Sequence, residues 1–181
     1  MAKNVEFKAK VVDYDEMFSK VEILTNVTPT LIMQQDIFYG IKKGRLKLRT
    51  ISNTHHEIIY YSRRNTLMPK VSKYYRFEVK HYDVVNKILT RIFGEKEKVR
   101  KERYLFLKDN IRFHLDKVVD LGTFMEIEYI MSEKESKVEA TNKVNTLLKR
   151  LKISPDMLIQ GSYADMLREK NGIDGKEWDK K

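Results

Sequence analysis

Val5-Glu6-Phe7-Lys8-Ala9-Lys10-Val11 separates into two sets when read at every second residue. Val5, Phe7, Ala9 and Val11 form one set; Glu6, Lys8 and Lys10 form the other. Alternate residues of a β-strand point to opposite faces, so this stretch reads as a strand with one apolar and one charged face. The pattern recurs. Arg45-Leu46-Lys47-Leu48-Arg49 puts Arg45, Lys47 and Arg49 on one side, and Ile111 to Asp116 does the same with Arg112, His114 and Asp116. Met125 to Tyr129 pairs Glu126 with Glu128, Tyr74 to Val79 pairs Arg76 with Glu78, and Lys101 to Tyr104 pairs Lys101 with Arg103.

For one strand the plain reading is a sheet with one face on the core and one in water. Six strands whose polar faces carry Arg, Lys, Glu and Asp almost without Thr, Ser or Gln fit that reading less well. Like charges at i and i+2 repel, so such a face suits a multivalent anion together with a cation. A sheet curled with these faces inward makes a polar tunnel whose apolar outer surface needs helices to cover it.

Those helices are expected from the rest of the chain. Asp13 to Leu24 carries Met17, Val21 and Leu24; Asp83 is placed to cap a helix through Phe93, with Val84, Ile88 and Ile92 on one stripe and Gly94 ending it. Ser132 to Leu151 carries Val138, Val144, Leu147, Leu148 and Leu151. Ser154-Pro155-Asp156 signals a helix start, and a last short helix is expected after Ser162. The expected organisation is one domain over residues 1–169 and a polar tail over 170–181.

Bulk composition narrows the class. The 181 residues are 41% hydrophobic and 34% charged, a folded rather than a disordered mix. No apolar run approaches the ~20 residues of a membrane span, and no secretory signal opens the chain. Zero Cys excludes disulfides and thiolate metal sites and points to a cytoplasmic setting. The formal charge of +10 points to anionic partners, whether nucleic acid, an acidic surface or a phosphorylated small molecule.

An ordered series of short motifs resembles the CYTH superfamily, the triphosphate tunnel metalloenzymes that include class IV (CyaB-type) adenylyl cyclases and thiamine triphosphatases. The series is Val5 to Lys10, Gln35-Asp36-Ile37-Phe38-Tyr39, Gly44 to Arg49, Lys101-Glu102-Arg103, His114-Leu115-Asp116, Leu121 to Glu128 and Gly161-Ser162-Tyr163. It covers about residues 4 to 168 and looks most like the CyaB-type branch. The resemblance implies an α+β fold: a closed eight-stranded antiparallel β-barrel with a charged interior and helices packed outside. It also implies cleavage of a triphosphate such as ATP, inorganic tripolyphosphate or thiamine triphosphate, with Mg²⁺ or Mn²⁺ as cofactor. One position departs from the pattern: the family opens with Glu-x-Glu-x-Lys, and Asn4 stands where the first Glu belongs. Asn offers a carbonyl oxygen but no charge, which weakens or removes one metal position.

On that basis Glu6, Glu126 and Glu128 are the expected metal ligands, with Asp116 a further ligand or an orienting carboxylate. Glu6, Lys8, Glu126 and Asp116 are the expected catalytic set. Lys8, Lys10, Arg45, Lys47, Arg49, Lys101 and Arg103 are expected to bind phosphate, with Arg76 and Arg112 in second rank. Arginine grips phosphate oxygens in pairs, whereas lysine acts as a point charge. The alternative for Glu126 and Glu128 is a set of salt bridges to neighbouring cations. His114 is either a proton acceptor or a histidine packed among charges. Tyr60, Tyr61, Tyr74 and Tyr75 either stack on a base or simply pack. Family members place a lysine where Tyr61 stands, so Arg63 or Arg64 is a candidate substitute. His55 and His56 fall in an expected hairpin and receive no role.

The resemblance leaves cyclase and triphosphatase open. A second class of function, a non-catalytic binder of polyphosphate, nucleotide or RNA, also fits the positive charge. Carboxylates interleaved with the cations argue against a nucleic-acid surface.

Overall fold

The computed structural model describes residues 2–62 and 70–173, with side chains from Asn4 to Ser62 and from Tyr74 onward. Arg63, Arg64 and the end of the expected tail lie outside the described residues. Eight strands form the body: β1 (Ala2–Lys10), β2 (Thr30–Tyr39), β3 (Arg45–Ile51), β4 (His55–Ser62), β5 (Lys70–Glu78), β6 (Glu95–Lys108), β7 (Ile111–Val118) and β8 (Gly122–Ile130). Each pairs antiparallel with two neighbours in the ring β1-β5-β4-β3-β2-β6-β7-β8, which closes on itself and leaves no sheet edge. The chain is an α+β protein with the closed eight-stranded antiparallel barrel that the alternating strands and the resemblance together implied.

The apolar strand faces point outward and are covered. α1 (Tyr14–Thr25) and α3 (Lys137–Arg150) lie over β1, β6, β7 and β8, burying Val5, Phe7, Phe113, Leu115, Met125 and Ile127 beneath Met17, Val21, Val144 and Leu148. Each such side chain contributes ~1.5–3 kcal/mol when taken fully out of water. Asp13 caps α1 by accepting the Glu16 backbone N–H at 2.9 Å, and Asn26 ends it in the left-handed region. α3 starts at Lys137 rather than near Ser132, because Ser136 and Glu139 form a reciprocal capping box there. Val138 is consequently in the first turn and exposed.

α2 (Tyr82–Phe93) differs from the sequence reading. Its N-cap is His81, and Asp83 lies in the first turn instead of capping. Tyr82, Val85 and Leu89 pack on Ile37, Tyr39 and Leu48 of β2 and β3, and Tyr39 Oη donates to Asn86 Oδ1 at 2.6 Å. The expected core stripe faces water, with Val84, Ile88 and Ile92 exposed at 56, 51 and 65%. This helix is apolar on two sides, so periodicity alone did not choose between them. His55 and His56 open β4; the hairpin turn before them runs through Ser52 and Asn53, both at positive φ.

α4 (Tyr163–Lys170) follows a single 3₁₀ turn at Pro155–Met157 and is not outside the barrel wall in the manner of the others. Tyr163, Ala164 and Leu167 cluster with Phe38, Ile59, Tyr61, Val99, Val118 and Phe124, all of which face the lumen. It closes one end of the barrel.

Gly44 precedes β3 at φ +73°, and a Cβ there would lie 2.8 Å from the Tyr61 carbonyl oxygen and 2.9 Å from the Tyr60 ring. Gly44→Ala is therefore expected to lower unfolding stability by about 1–3 kcal/mol in urea titration, from left-handed strain and backbone collision together.

Candidate functional site

Between the α4 end and the opposite mouth the lumen holds a cavity of about 130 Å³. Its lining includes the cations Lys8, Lys47, Arg49, Arg76, Lys101, Arg103 and Arg112, and the carboxylates Glu6, Asp36, Glu126 and Glu128. Asn4, Ser162 and Tyr163 add neutral polar groups, while Phe38, Ile59, Tyr61, Tyr74 and Val99 make an apolar wall.

Strand register creates the acidic corner. β1 pairs with β8 so that Glu6 faces Glu128 and Lys8 faces Glu126. One oxygen from each of Glu6, Glu126 and Glu128 lies within 4.8 Å of the others. Three carboxylates at that distance repel, and neighbouring cations offset the repulsion. Arg103 Nη2 donates to Glu126 Oε2 at 3.0 Å, and Arg112 Nη1 donates to Glu128 Oε2 at 3.2 Å. Burial pushes the Glu126 carboxyl up, but Lys8, Arg103 and Lys101 outweigh it and hold the group well below the usual range. Glu128 is also held down, against burial and the Glu126 charge, by His114 in its protonated form and by Arg103 and Arg112. Both are ionised at neutral pH. Ionised hard oxygens, with the buried Asn4 Oδ1 beside them lacking any hydrogen-bond partner among the described residues, are a donor set that fits a hard divalent cation.

The cations are aimed by two aspartates. Asp116 is fully buried and accepts from Arg103 Nε and Nη2, each at 2.6 Å, from Lys101 Nζ at 3.2 Å and from Tyr163 Oη at 2.8 Å. Asp36 repeats the device, accepting from Arg49 Nε at 2.8 Å, Arg49 Nη2 at 3.1 Å, Lys47 Nζ at 3.0 Å and Gln34 Nε2 at 2.9 Å. Each fixes one arginine in two-point contact and one lysine. Asp116 thus lies behind the lining with both oxygens engaged by Arg103, Lys101 and Tyr163. Asp36, within the motif at residues 35–39, is an anchor that the motif does not mark; its parity with Phe38 on the inward face of β2 is the available signal.

Two lysines are poised near neutrality. Burial and then the Arg103 charge bring Lys101 down to about 7, although Asp116 pulls the other way. Burial and Arg49 bring Lys47 down to about 8. Aromatic faces line the same cations: Lys8 Nζ is 3.6 Å and Lys101 Nζ 5.0 Å from the Tyr163 ring centroid, and Lys47 Nζ is 5.5 Å from that of Phe38.

Other expected site residues fall elsewhere. Lys10 is exposed at the end of β1 and does not line the cavity. Arg45 is buried against α4, its Nη2 donating to Asp165 Oδ2 at 2.7 Å. Arg76 does line the cavity but stands 54% exposed, 3.4 Å from Glu57 Oε1. His114 is buried outside the lining; burial and then Arg103 lower it to about 4, so it is neutral at pH 7 and its 3.8 Å approach to Glu128 is not an ion pair. Tyr61 and Tyr74 line the cavity, whereas Tyr60 and Tyr75 do not and pair with each other at 6.4 Å.

A family model, the CYTH domain, matches residues 2–163. A protein of Methanocaldococcus jannaschii provisionally named an adenylate cyclase is 24% identical over 170 residues, covering 90% of this chain and 97% of that protein. A Pyrococcus horikoshii protein structure superposes with a TM-score of 0.80 at 21% identity, covering 90% of this chain and 98% of the other. A Hippeastrum protein, provisionally an adenylyl cyclase and described as having a dominant triphosphatase activity, superposes at 0.65 with 13% identity over 95% of this chain and 96% of its own.

Two outcomes follow from the charge network. Asp116→Ala leaves Arg103 and Lys101 buried without their shared carboxylate and is expected to cost about 3–5 kcal/mol by urea unfolding. Lys101 and Lys47 have folded pKa values of about 7 and about 8, so both lose protons as pH rises from 7 to 9. An anion favours their charged forms, so binding must take up protons. Sulfate affinity in EDTA is expected to fall over that interval by up to about tenfold per pH unit for each lysine that takes up a proton, measured by calorimetry.

Proposed function

The chain belongs to the CYTH domain family, and from that membership we propose that it cleaves a triphosphate with the help of a bound divalent cation, Mg²⁺ or Mn²⁺. One observation carries the reading: three carboxylates gathered within 4.8 Å share one cavity in the barrel with seven cationic side chains. The inward placement of the cations also favours a small anion over nucleic acid, which needs an open basic surface.

In this reading Arg49, Lys47, Lys101, Arg103, Arg112 and Lys8 hold the non-bridging phosphate oxygens. Asp36 and Asp116 keep the arginines and lysines pointed at the cavity, so little reorganisation is needed as charge develops. Glu6, Glu126 and Glu128 hold the cation. The cation, when bound, neutralises phosphate charge and polarises the phosphorus that is attacked. Tyr163 and the rest of α4 shut one end, so the phosphate chain enters from the other.

Cleavage breaks a P–O–P bridge. In hydrolysis a water oxygen bonds to the terminal phosphorus, the bond from that phosphorus to the bridging oxygen breaks, and the diphosphate end leaves as orthophosphate forms; in cyclisation the ribose 3′-oxygen bonds to the α-phosphorus of ATP, the bond to the bridging oxygen breaks and pyrophosphate leaves. The cavity volume suits the phosphate chain of either substrate. Pockets that enclose a drug-sized organic molecule run ~300–1,000 Å³, and about 130 Å³ suits a phosphate chain with any organic group left at the mouth. The relative described as a dominant triphosphatase shows that an adenylyl cyclase name and hydrolysis go together in at least one protein of this fold.

The test is incubation with inorganic tripolyphosphate and with ATP, each with Mg²⁺, Mn²⁺ or EDTA, the products being resolved by phosphorus NMR. Orthophosphate release with either metal and none in EDTA is expected, falling about 100-fold or more in Glu126→Gln. Cyclic AMP with pyrophosphate would replace hydrolysis by cyclisation, and turnover undiminished in EDTA would remove the metal from the reaction.

A further inference from the structure

Asn4 is 3% exposed on the inward face of β1, and among the described residues its Oδ1 accepts no hydrogen bond. A buried amide oxygen without a donor forfeits the hydrogen bonds water would give it, so an unpartnered one needs a physical reason. Nearby strand register supplies it. Asn4 lies opposite Ile130, directly before the Glu6–Glu128 and Lys8–Glu126 pairs, and lines the same cavity as the three carboxylates. Two residues along a strand is roughly 6.6–6.8 Å, a span that adjacent inward side chains bridge by converging on one ion.

We propose that Asn4 Oδ1 is a neutral ligand to the divalent cation held by Glu6, Glu126 and Glu128. The cation, rather than a protein donor, satisfies the amide oxygen. A carbonyl at this position has a definite consequence. It completes the oxygen set while adding no fourth negative charge to a corner where three carboxylates already repel. Affinity is set by ligand count and charge together. The free protein therefore holds one cation with moderate affinity, and the corner stays tolerant of an incoming polyanion. The inference rests on the proposed metal-dependent reading and concerns binding, so activity is not its readout.

The experiment titrates Mn²⁺ into the protein without substrate, following free Mn²⁺ by electron paramagnetic resonance, and records the thermal unfolding midpoint with and without Mn²⁺. Wild type is expected to bind one Mn²⁺. Asn4→Ala is expected to weaken binding about tenfold and shrink the Mn²⁺-induced rise in midpoint, while Asn4→Asp, nearly isosteric, is expected to tighten it about tenfold. A merely structural role for Asn4 would not move the two variants in opposite directions. Wild-type affinity in both variants, with binding abolished in Glu126→Ala, would overturn the role of Asn4 and leave the metal site standing. No Mn²⁺ binding by wild type would overturn both.

Discussion

Charged side chains inside a closed barrel have to be compensated within reach of one another, because the wall keeps much of their surface from bulk water. The two bidentate pairs, Arg103 on Asp116 and Arg49 on Asp36, meet that condition. Each aspartate is depressed below its usual pKa by the arginine and lysine beside it, despite a burial that pushes the other way. Were either carboxylate absent, a buried arginine would lose its two-point partner, Arg103 keeping only the single contact to Glu126. The remaining architecture answers to this: alternation puts the charges inside, closure removes the sheet edges, and α1, α2 and α3 supply the apolar cover the outer faces need.

Pairing is deliberately incomplete in one sense. Seven cationic side chains line the cavity against four carboxylates. The imbalance is softened in the empty protein, since burial and arginine neighbours lower Lys101 and Lys47 toward neutrality. Entry of a polyanion reverses the pressure and favours both ammonium forms. The cavity is thus less positive when empty than its composition suggests, and its charge rises with the ligand that needs it.

The barrel was legible because the period-two pattern is strict in β1, β3, β7 and β8, where a slip of one residue would turn every charge outward. Glu6, Glu126 and Glu128 were legible as a group only through the motif series; the pairing of β1 with β8 is what brings them together. Lys10 and Arg45 mark the limit of that reading. Parity says which face a residue occupies but not how far along the barrel axis it sits, and these two sit at the α4 end or beyond the lining. Asp36 went unassigned because a lone inward aspartate in Gln34-Gln35-Asp36 has no local mark of being an anchor; its partners come from β3. The outward stripe of α2 misled because Val84, Ile88 and Ile92 are as regular as the Tyr82, Val85 and Leu89 face that packs.

The least legible feature, α4, ties the fold to the site. Eight residues are too few to hold a helix on propensity alone. Its stability has to come from contacts, and those contacts are the site's own. Ser162 and Asp165 form a capping box, Asp165 Oδ2 accepts from Arg45, and Tyr163 Oη donates to Asp116. The Tyr163 ring then lies under Lys8 and Lys101. The closed end of the barrel is therefore held by groups whose electrostatics belong to the cavity, so a change in charge at Asp116 or Lys101 acts on the helix as well as on the lining. Closure of the tunnel and alignment of its cations are one energetic unit, joined at the hydroxyl of Tyr163.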